Sequence, residues 1–189
     1  MIILLPCLII AFTVHEFFHA YASYKLGDNG VIHDKRLNLN PINHIDPLGF
    51  IMLLVVGFGW AKPVVVNPNV YRNPVKGMAL VALAGPLSNI ALALIGIILH
   101  IIFRWQSVSL VFFYFWMVNI VLCLFNLIPI PPLDGSKIIG YFMKWDTYQE
   151  FLKYQWMGIF LLVFMIYMDI FSLIINPVVN AIFGFIYRL

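Results

Sequence analysis

The sequence has 189 residues, of which 63% are hydrophobic and only 10% are charged. Soluble domains are typically about 45–50% apolar and about 25% charged, so this composition excludes an ordinary water-soluble domain. The net charge is only +3, and the few Lys and Arg residues are better explained as topology signals beside membrane spans than as a nucleic-acid surface. We therefore predict an all-α polytopic membrane protein, with residues 1–189 as one domain and no nucleic-acid partner.

Four apolar segments are long enough to cross a bilayer as helices, which takes about 20 residues. The predicted spans are residues 2–25, 77–103, 107–128 and 156–175 or beyond. The first span differs from the others because it carries His15, Glu16 and His19 in its second half. Ionisable residues inside a membrane are costly, and they are functional by default.

The region between the first two spans has a different character. Turn-forming sequences surround an apolar piece of 14 residues, from Leu48 to Ala61, which is too short to cross and is rich in Gly and β-branched residues. We predict a re-entrant or short β element over about residues 31–66, in which residues 64–66 form a short strand. Farther along the chain, residues 136–155 mix apolar, aromatic and charged positions and predict a helix lying in the membrane interface.

The basic residues predict the orientation. With these four spans, nine of the 11 Lys and Arg residues fall on one side, and only Arg104 and Arg188 fall on the other. An excess of basic residues marks the cytoplasmic side, so the N-terminus is predicted to lie outside. At a rise of about 1.5 Å per residue, His15 lies about 20 Å below the outer edge, in the cytoplasmic third of the membrane.

The segment His15-Glu16-Phe17-Phe18-His19 carries the strongest chemical signal. Side chains four residues apart lie on one face of a helix, so the two imidazoles can bind a single ion. Zinc accepts imidazole nitrogen and keeps one position open for water when it is catalytic. Glu16 would reach that water as the general base. The alternative is a chance placement of these residues, which the cost of a Glu in lipid makes weak.

Two imidazoles make an incomplete site, so a third ligand is expected at a similar depth. The candidates are His33, His44, Asp46, Asp134 and, less plausibly, Asp169. Asp134 has the best context, because a run with three prolines ends the preceding helix and Gly135 allows the backbone to turn the carboxylate inward. The alternative for Asp134 is an ordinary turn or helix N-cap.

Four motifs together carry a family resemblance: HEFFHA from residue 15, GWAKPV from residue 59, ALAGPLSN from residue 82 and FNLIPIPPLDG from residue 125. The chain resembles the site-2 protease family of intramembrane zinc metalloproteases, in its compact bacterial and archaeal form. The resemblance implies one zinc ion per chain, held by His15, His19 and Asp134, with Glu16 as catalytic base. It also implies hydrolysis of a peptide bond inside a transmembrane segment, near the cytoplasmic side.

Two intramembrane amides have both a functional and a structural explanation. By the resemblance, Asn89 is a catalytic residue that faces the site and donates to the scissile carbonyl or the tetrahedral intermediate. A hydrogen bond between helices explains Asn89 equally well. Asn126 has the same two explanations, and its functional role would be to support Asp134.

The loop region contributes further candidates for supporting or substrate-binding roles. His44 and Asp46 are candidates for a supporting or entrance pair, although a turn explains residues 43–49 nearly as well. Gly59 and Trp60 lie in the segment 57–63, which resembles the family's edge strand, where an unwound substrate could be held by strand addition. Trp60 is alternatively an interfacial anchor.

Together, these residues predict a zinc-dependent intramembrane endopeptidase in regulated intramembrane proteolysis. Its partners would be a single-span membrane-protein substrate and the lipid bilayer of a prokaryotic cell membrane, with the active site toward the cytoplasm. One alternative is a small ion or metal transporter that uses the same His, Glu and Asp groups, and another is an inactive family member. A transporter has no need of a Glu beside two imidazoles at this spacing, so the sequence favours the peptidase.

Overall fold

The computed structural model describes residues 2–57 and 59–188, in which nine α-helices and two single-turn 3-10 helices are found. The α-helices are α1 (Leu4–Lys25), α2 (Gly30–His33), α3 (Pro47–Val56), α4 (Pro74–Ile102), α5 (Ser109–Asn126), α6 (Asp134–Gly140), α7 (Trp145–Lys153), α8 (Gln155–Tyr167) and α9 (Ile170–Ile186). The described residues contain no β-sheet, which confirms the predicted all-α class.

Three of these helices, α1, α4 and α5, are long and apolar enough to cross a membrane. The helices α7 and α8 meet at a bend of 54°, and together they are long and apolar enough to form a fourth span. Large apolar side chains such as Leu94 and Ile98 lie exposed on the outside of α4, as expected for a helix that faces lipid. The chain is therefore a multi-pass helical membrane protein with three or four spans in its described part.

The predicted re-entrant or β element between the first two spans is not supported. Residues Pro47–Val56 form α3 instead, because the ends of this segment carry helix caps: the Asp46 side chain accepts from the Gly49 N–H at 2.8 Å, and Gly57 ends the helix with a φ of 79°. Among the described residues, extended pairing is limited to an isolated bridge between Ile45 and Ala61. The capping residues outweigh the β-branched composition on which the prediction was based.

The helix α4 lies at the centre of the fold and packs against α1, α5 and α6. Its start is fixed by Asn73, whose side chain accepts from the Lys76 N–H at 3.0 Å. Small buried residues such as Ala82, Gly85 and Ala93 allow neighbouring helices to approach it closely. This close approach brings α1 and α6, which carry the predicted chemical groups, to the same part of α4.

The segment predicted as one interfacial helix over residues 136–155 contains two helices, α6 and α7. The chain turns sharply before α6, and Gly135 lies directly against the backbone of Leu127 and Ile128, where a Cβ would overlap their carbonyl oxygens. This turn folds the start of α6 back against the end of α5. As a result, Asp134 is buried, with its carboxylate against His15 and His19 of α1.

Candidate metal centre

His15, His19 and Asp134 converge on one buried point. The Nε2 atoms of His15 and His19 lie 2.9 Å apart, and Oδ2 of Asp134 lies 3.1 Å from the first and 3.0 Å from the second. With zinc–ligand bonds of about 2.0–2.2 Å, the ligand atoms of a tetrahedral site are about 3.3–3.6 Å apart. The three atoms therefore need to separate by only a few tenths of an ångström to hold an ion.

The two imidazoles are oriented by hydrogen bonds from their other ring nitrogen. Nδ1 of His15 donates to Oδ1 of Asn89 at 2.6 Å, and Nδ1 of His19 donates to the carbonyl oxygen of Val81 at 2.7 Å. Because both Nδ1 atoms carry a proton, both Nε2 atoms present a lone pair to the centre. This tautomer, with its second hydrogen bond, is typical of histidines that bind metal. The donor set therefore fits zinc.

Asn89 is fully buried, and both ends of its amide are engaged. Its Oδ1 accepts from His15, while its Nδ2 donates to Oδ1 of Asn119 at 2.9 Å and to the carbonyl oxygen of Ala11 at 3.3 Å. The structure places Asn89 on the Nδ1 side of the His15 ring, with its donors already bound to α1 and α5. This geometry agrees with a hydrogen bond between helices and gives no spare donor for a scissile carbonyl. The sequence analysis did not identify Asn119 as a partner of Asn89, although Asn119 is an amide in a span without charged residues.

The carboxylate of Asp134 uses its two oxygens differently. Oδ2 faces the imidazoles, whereas Oδ1 accepts from Nζ of Lys137 at 3.1 Å. Lys137 lies three residues farther along α6, so it shares a face with Asp134. The Lys137 contact occupies the second oxygen and leaves Oδ2 as the metal-facing atom. From the sequence, Lys137 was used only as one of the basic residues that predict the membrane orientation.

Glu16 lies beside the imidazoles on α1 and is half-buried. Its Oε2 accepts from the backbone N–H of Val64 at 3.1 Å. Val64 belongs to the segment 62–67, which is neither helix nor sheet, so this segment contacts α1 at Glu16. Glu16 follows His15 directly on α1, and its role as the base stays a prediction.

The remaining candidates for a third ligand lie elsewhere. Among the described residues, the group that can hold a metal consists of His15, His19 and Asp134. His44 is fully buried and donates from Nε2 to the carbonyl oxygen of Asn38 at 2.7 Å. Burial lowers the pKa of His44, so this imidazole is neutral at pH 7.

The other predicted supporting residues make local contacts. Asp46 caps α3, and Nδ2 of Asn126 donates to the carbonyl oxygen of Leu122 at 3.0 Å within the same helix. Gly59 lies against α3, where a Cβ would overlap the carbonyl oxygen of Gly49, and Trp60 is 43% exposed. Residue 58 of the same segment lies outside the described residues.

Gly85 lies beside the candidate ligands, and the sequence analysis did not single it out. It packs against both imidazoles: a Cβ at this position would lie 2.5 Å from Nε2 of His19 and 2.7 Å from Cε1 of His15. Only a residue without a side chain allows α4 to approach the ligands this closely. The available signal was a glycine inside an apolar helix, next to Pro86 in the motif ALAGPLSN.

Gly85→Ala is expected to displace the imidazoles and to weaken zinc binding by about 10- to 100-fold, the range seen when ligand orientation is lost. Zinc competition with a chromogenic chelator measures this affinity. Gly96→Ala is the matched control, since Gly96 lies on the same helix as Gly85 and its added Cβ would crowd Cβ of Trp116 on α5 at 2.9 Å but would contact no ligand. Equal zinc affinities in the two variants would show that Gly85 has no specific role at the centre.

These features define a helical multi-pass membrane protein with a buried His-His-Asp group that can hold a metal ion, and with a glutamate next to His15 in the sequence. The profile of peptidase family M50 matches residues 101–168. A Bacillus subtilis protein named "Putative zinc metalloprotease YwhC" is 46% identical over 142 residues, which are 70% of this chain and 65% of that protein. The chain is thus similar to peptidase family M50 and to proteins named as zinc metalloproteases, in agreement with the resemblance of the sequence motifs.

Two further relatives carry similar names. "Putative zinc metalloprotease MJ0611" of Methanocaldococcus jannaschii is 37% identical over 53% of this chain and 51% of its own length. "Putative zinc metalloprotease Rip2" of Mycolicibacterium smegmatis is 27% identical over 90% of this chain and 65% of its own length. The chain thus spans about half to two thirds of the length of the curated relatives it matches. No solved structure matches it significantly.

Proposed function

We propose that this protein is a zinc-dependent intramembrane endopeptidase that hydrolyses peptide bonds in transmembrane segments of membrane-protein substrates. The observation that carries the proposal is the convergence of His15, His19 and Asp134 on one buried point within a membrane-type helix bundle. Glu16 is the residue that follows His15 on α1. The names of the M50 relatives support zinc and peptidase chemistry.

His15, His19 and Asp134 would hold one zinc ion per chain. When bound, zinc acts as a Lewis acid and lowers the pKa of a coordinated water to about 7. The surrounding residues keep the ligands in place: Asn89 fixes the His15 ring, and Lys137 holds the second oxygen of Asp134. Asn119 extends this support, because it accepts from Asn89 and donates from Nδ2 to the carbonyl oxygen of Phe115 at 2.8 Å.

Glu16 serves as the general base in this proposal. It takes a proton from the attacking water and returns the proton to the leaving amine. Since Oε2 accepts from the Val64 N–H, we assign the proton transfer to Oε1. The bond from Val64 would hold the carboxylate in one orientation during both transfers.

The substrate would bind beside the segment 61–66. A transmembrane helix must unwind before a peptidase can reach its backbone, and strand addition satisfies the backbone groups that unwinding frees. Residues 62–66 belong to no helix or sheet and follow the isolated bridge at Ala61, and Glu16 contacts this segment at Val64. Gly59 would allow the segment to pack closely on α3, with Trp60 next to the bound substrate.

Cleavage of a single-span test substrate by the purified protein in detergent tests this function. We expect the masses of the products to place the cut inside the apolar segment of the substrate. An intact substrate in the presence of zinc-loaded protein would contradict the proposal. Zinc flux into vesicles containing the protein would then favour the transporter alternative.

We further propose that the protein lies in a prokaryotic cell membrane with its active site toward the cytoplasm. The excess of basic residues on one side predicts that residues 27–76 and 129–155 are cytoplasmic and that the N-terminus lies outside. Labelling of single-cysteine variants with an impermeant reagent in whole cells measures this topology. Labelling of a loop cysteine in intact cells, with the N-terminus protected, would reverse the orientation and leave the chemistry unchanged.

A further inference from the structure

Arg36 is a buried cation close to the proposed active site. Arg36 is only 4% exposed. Its guanidinium donates to three backbone carbonyls. Nη1 donates to Asn43 at 2.7 Å and to Lys62 at 3.1 Å, and Nη2 donates to Pro63 at 2.9 Å. In the described part of the chain, no carboxylate lies within 4.0 Å of this guanidinium. Burial of a cation without a carboxylate partner is costly, so this arrangement calls for a specific role.

The third of these hydrogen bonds links Arg36 to Glu16. The carbonyl of Pro63 and the N–H of Val64 belong to the same peptide group, which is planar and rigid. Arg36 donates to the oxygen of this peptide group. The N–H of the same group, that of Val64, donates to Oε2 of Glu16 at 3.1 Å. A donor at the carbonyl polarises the peptide and strengthens its N–H as a donor. One peptide group therefore connects the guanidinium to the carboxylate.

Few other contacts fix this peptide group. Pro63 has no N–H to donate, and the preceding residue, Lys62, makes a backbone bond to the carbonyl of His44 at 2.9 Å. Residues 62–66 belong to no helix or sheet. The guanidinium holds two successive carbonyls, those of Lys62 and Pro63, so it determines how the 63–64 peptide is turned toward α1.

We propose that Arg36 is a positioning residue for Glu16: it fixes the 63–64 peptide, whose N–H holds the Glu16 carboxylate in the orientation needed for proton transfer. The catalytic consequence rests on the proposed peptidase function. The structural link between Arg36, the peptide and Glu16 does not depend on it.

Arg36→Met and Arg36→Lys test the catalytic consequence with the single-span substrate. For Arg36→Met we expect kcat to fall by about 10- to 100-fold, as for small misplacements of catalytic groups, while KM and zinc content stay close to wild type. Arg36→Lys should recover part of kcat, because an ammonium group can donate to some of the three carbonyls but lacks the planar fork.

Asp28→Asn is the matched control. Asp28 is as buried as Arg36 and ties the same loop to α1, since it accepts from the Ser23 hydroxyl and from the N–H groups of Gly30 and Asn67. It makes no hydrogen bond to Glu16 or to the 63–64 peptide in the described structure. We expect Asp28→Asn to lower the thermal stability while kcat stays near wild type. An equal loss of kcat in Asp28→Asn and Arg36→Met would reduce Arg36 to a structural residue and overturn the proposal.

Amide hydrogen exchange provides a second measurement that needs no peptidase activity. The Val64 amide should be protected in the wild type and in Asp28→Asn, and it should lose protection in Arg36→Met. Unchanged protection in Arg36→Met would overturn the proposal even if kcat falls. If the wild type cleaves no substrate, the proposed function fails, and the exchange of the Val64 amide still decides whether Arg36 holds this peptide.

Discussion

Replacement of Glu16 by Gln should abolish peptide-bond hydrolysis while zinc stays bound. Gln has the shape of Glu, and its amide oxygen can still accept from the Val64 N–H, so the local structure is retained. The substituted side chain can no longer take up a proton from water. A positioned acid–base group contributes about 10²- to 10⁴-fold in rate, so the loss should be evident in the single-span cleavage assay.

The other glutamate of the chain provides the control for this variant. Glu150 lies exposed on α7, and Glu150→Gln should cleave at the wild-type rate. Near-normal cleavage by zinc-loaded Glu16→Gln would contradict the assignment of Glu16 as the base, and it would leave the His-His-Asp centre without its proposed chemistry.

Replacement of Asp134 by Ala should remove zinc from the protein. The change leaves two imidazoles at the centre and deprives Lys137 of its partner, so a positive charge without a counterion remains beside the site. We expect the zinc affinity to fall by more than about 100-fold, beyond the effect of losing a residue that only supports a ligand. Metal analysis of the purified variant measures the zinc content directly.

Asp46→Ala is the control for Asp134→Ala. Asp46 was a sequence candidate for the third ligand, but the structure shows it as the cap of α3. Loss of a cap costs about 0.5–2 kcal/mol of stability, so this variant should be less stable yet bind a full complement of zinc. The opposite pattern, with zinc retained in Asp134→Ala and lost in Asp46→Ala, would assign the third ligand to the loop.

The ligand-bearing motifs and three of the four predicted spans, those of α1, α4 and α5, could be predicted because they depend on local pattern. The predicted span 156–175 is instead divided between α8 and α9. A long apolar run predicts α4 or α5 without knowledge of its neighbours, and the four-residue spacing places His15 and His19 on one face of any helix. Asp134 could be ranked first because prolines and Gly135 mark a sharp turn at the end of a span. The region before α4 was harder, since the caps at Asp46 and Gly57 decided between a helix and a strand.

The supporting contacts could not be predicted because they depend on packing between distant segments. Asn89 is visible in the sequence as an intramembrane amide, but its bond to Nδ1 of His15 follows only from how α4 lies against α1. The same holds for Gly85, whose importance appears once both imidazoles are placed beside it. Arg36 reaches Glu16 through a peptide 27 residues away in the sequence, a contact that no local pattern encodes.

Removal of zinc from the purified wild-type protein, followed by its stepwise return, is the decisive experiment. Cleavage of the single-span substrate should fall to the level of Glu16→Gln when the metal is removed, and it should recover in full when one zinc ion per chain has been restored. Full cleavage by a protein shown by metal analysis to hold no zinc would contradict the proposal that His15, His19 and Asp134 form the catalytic metal centre.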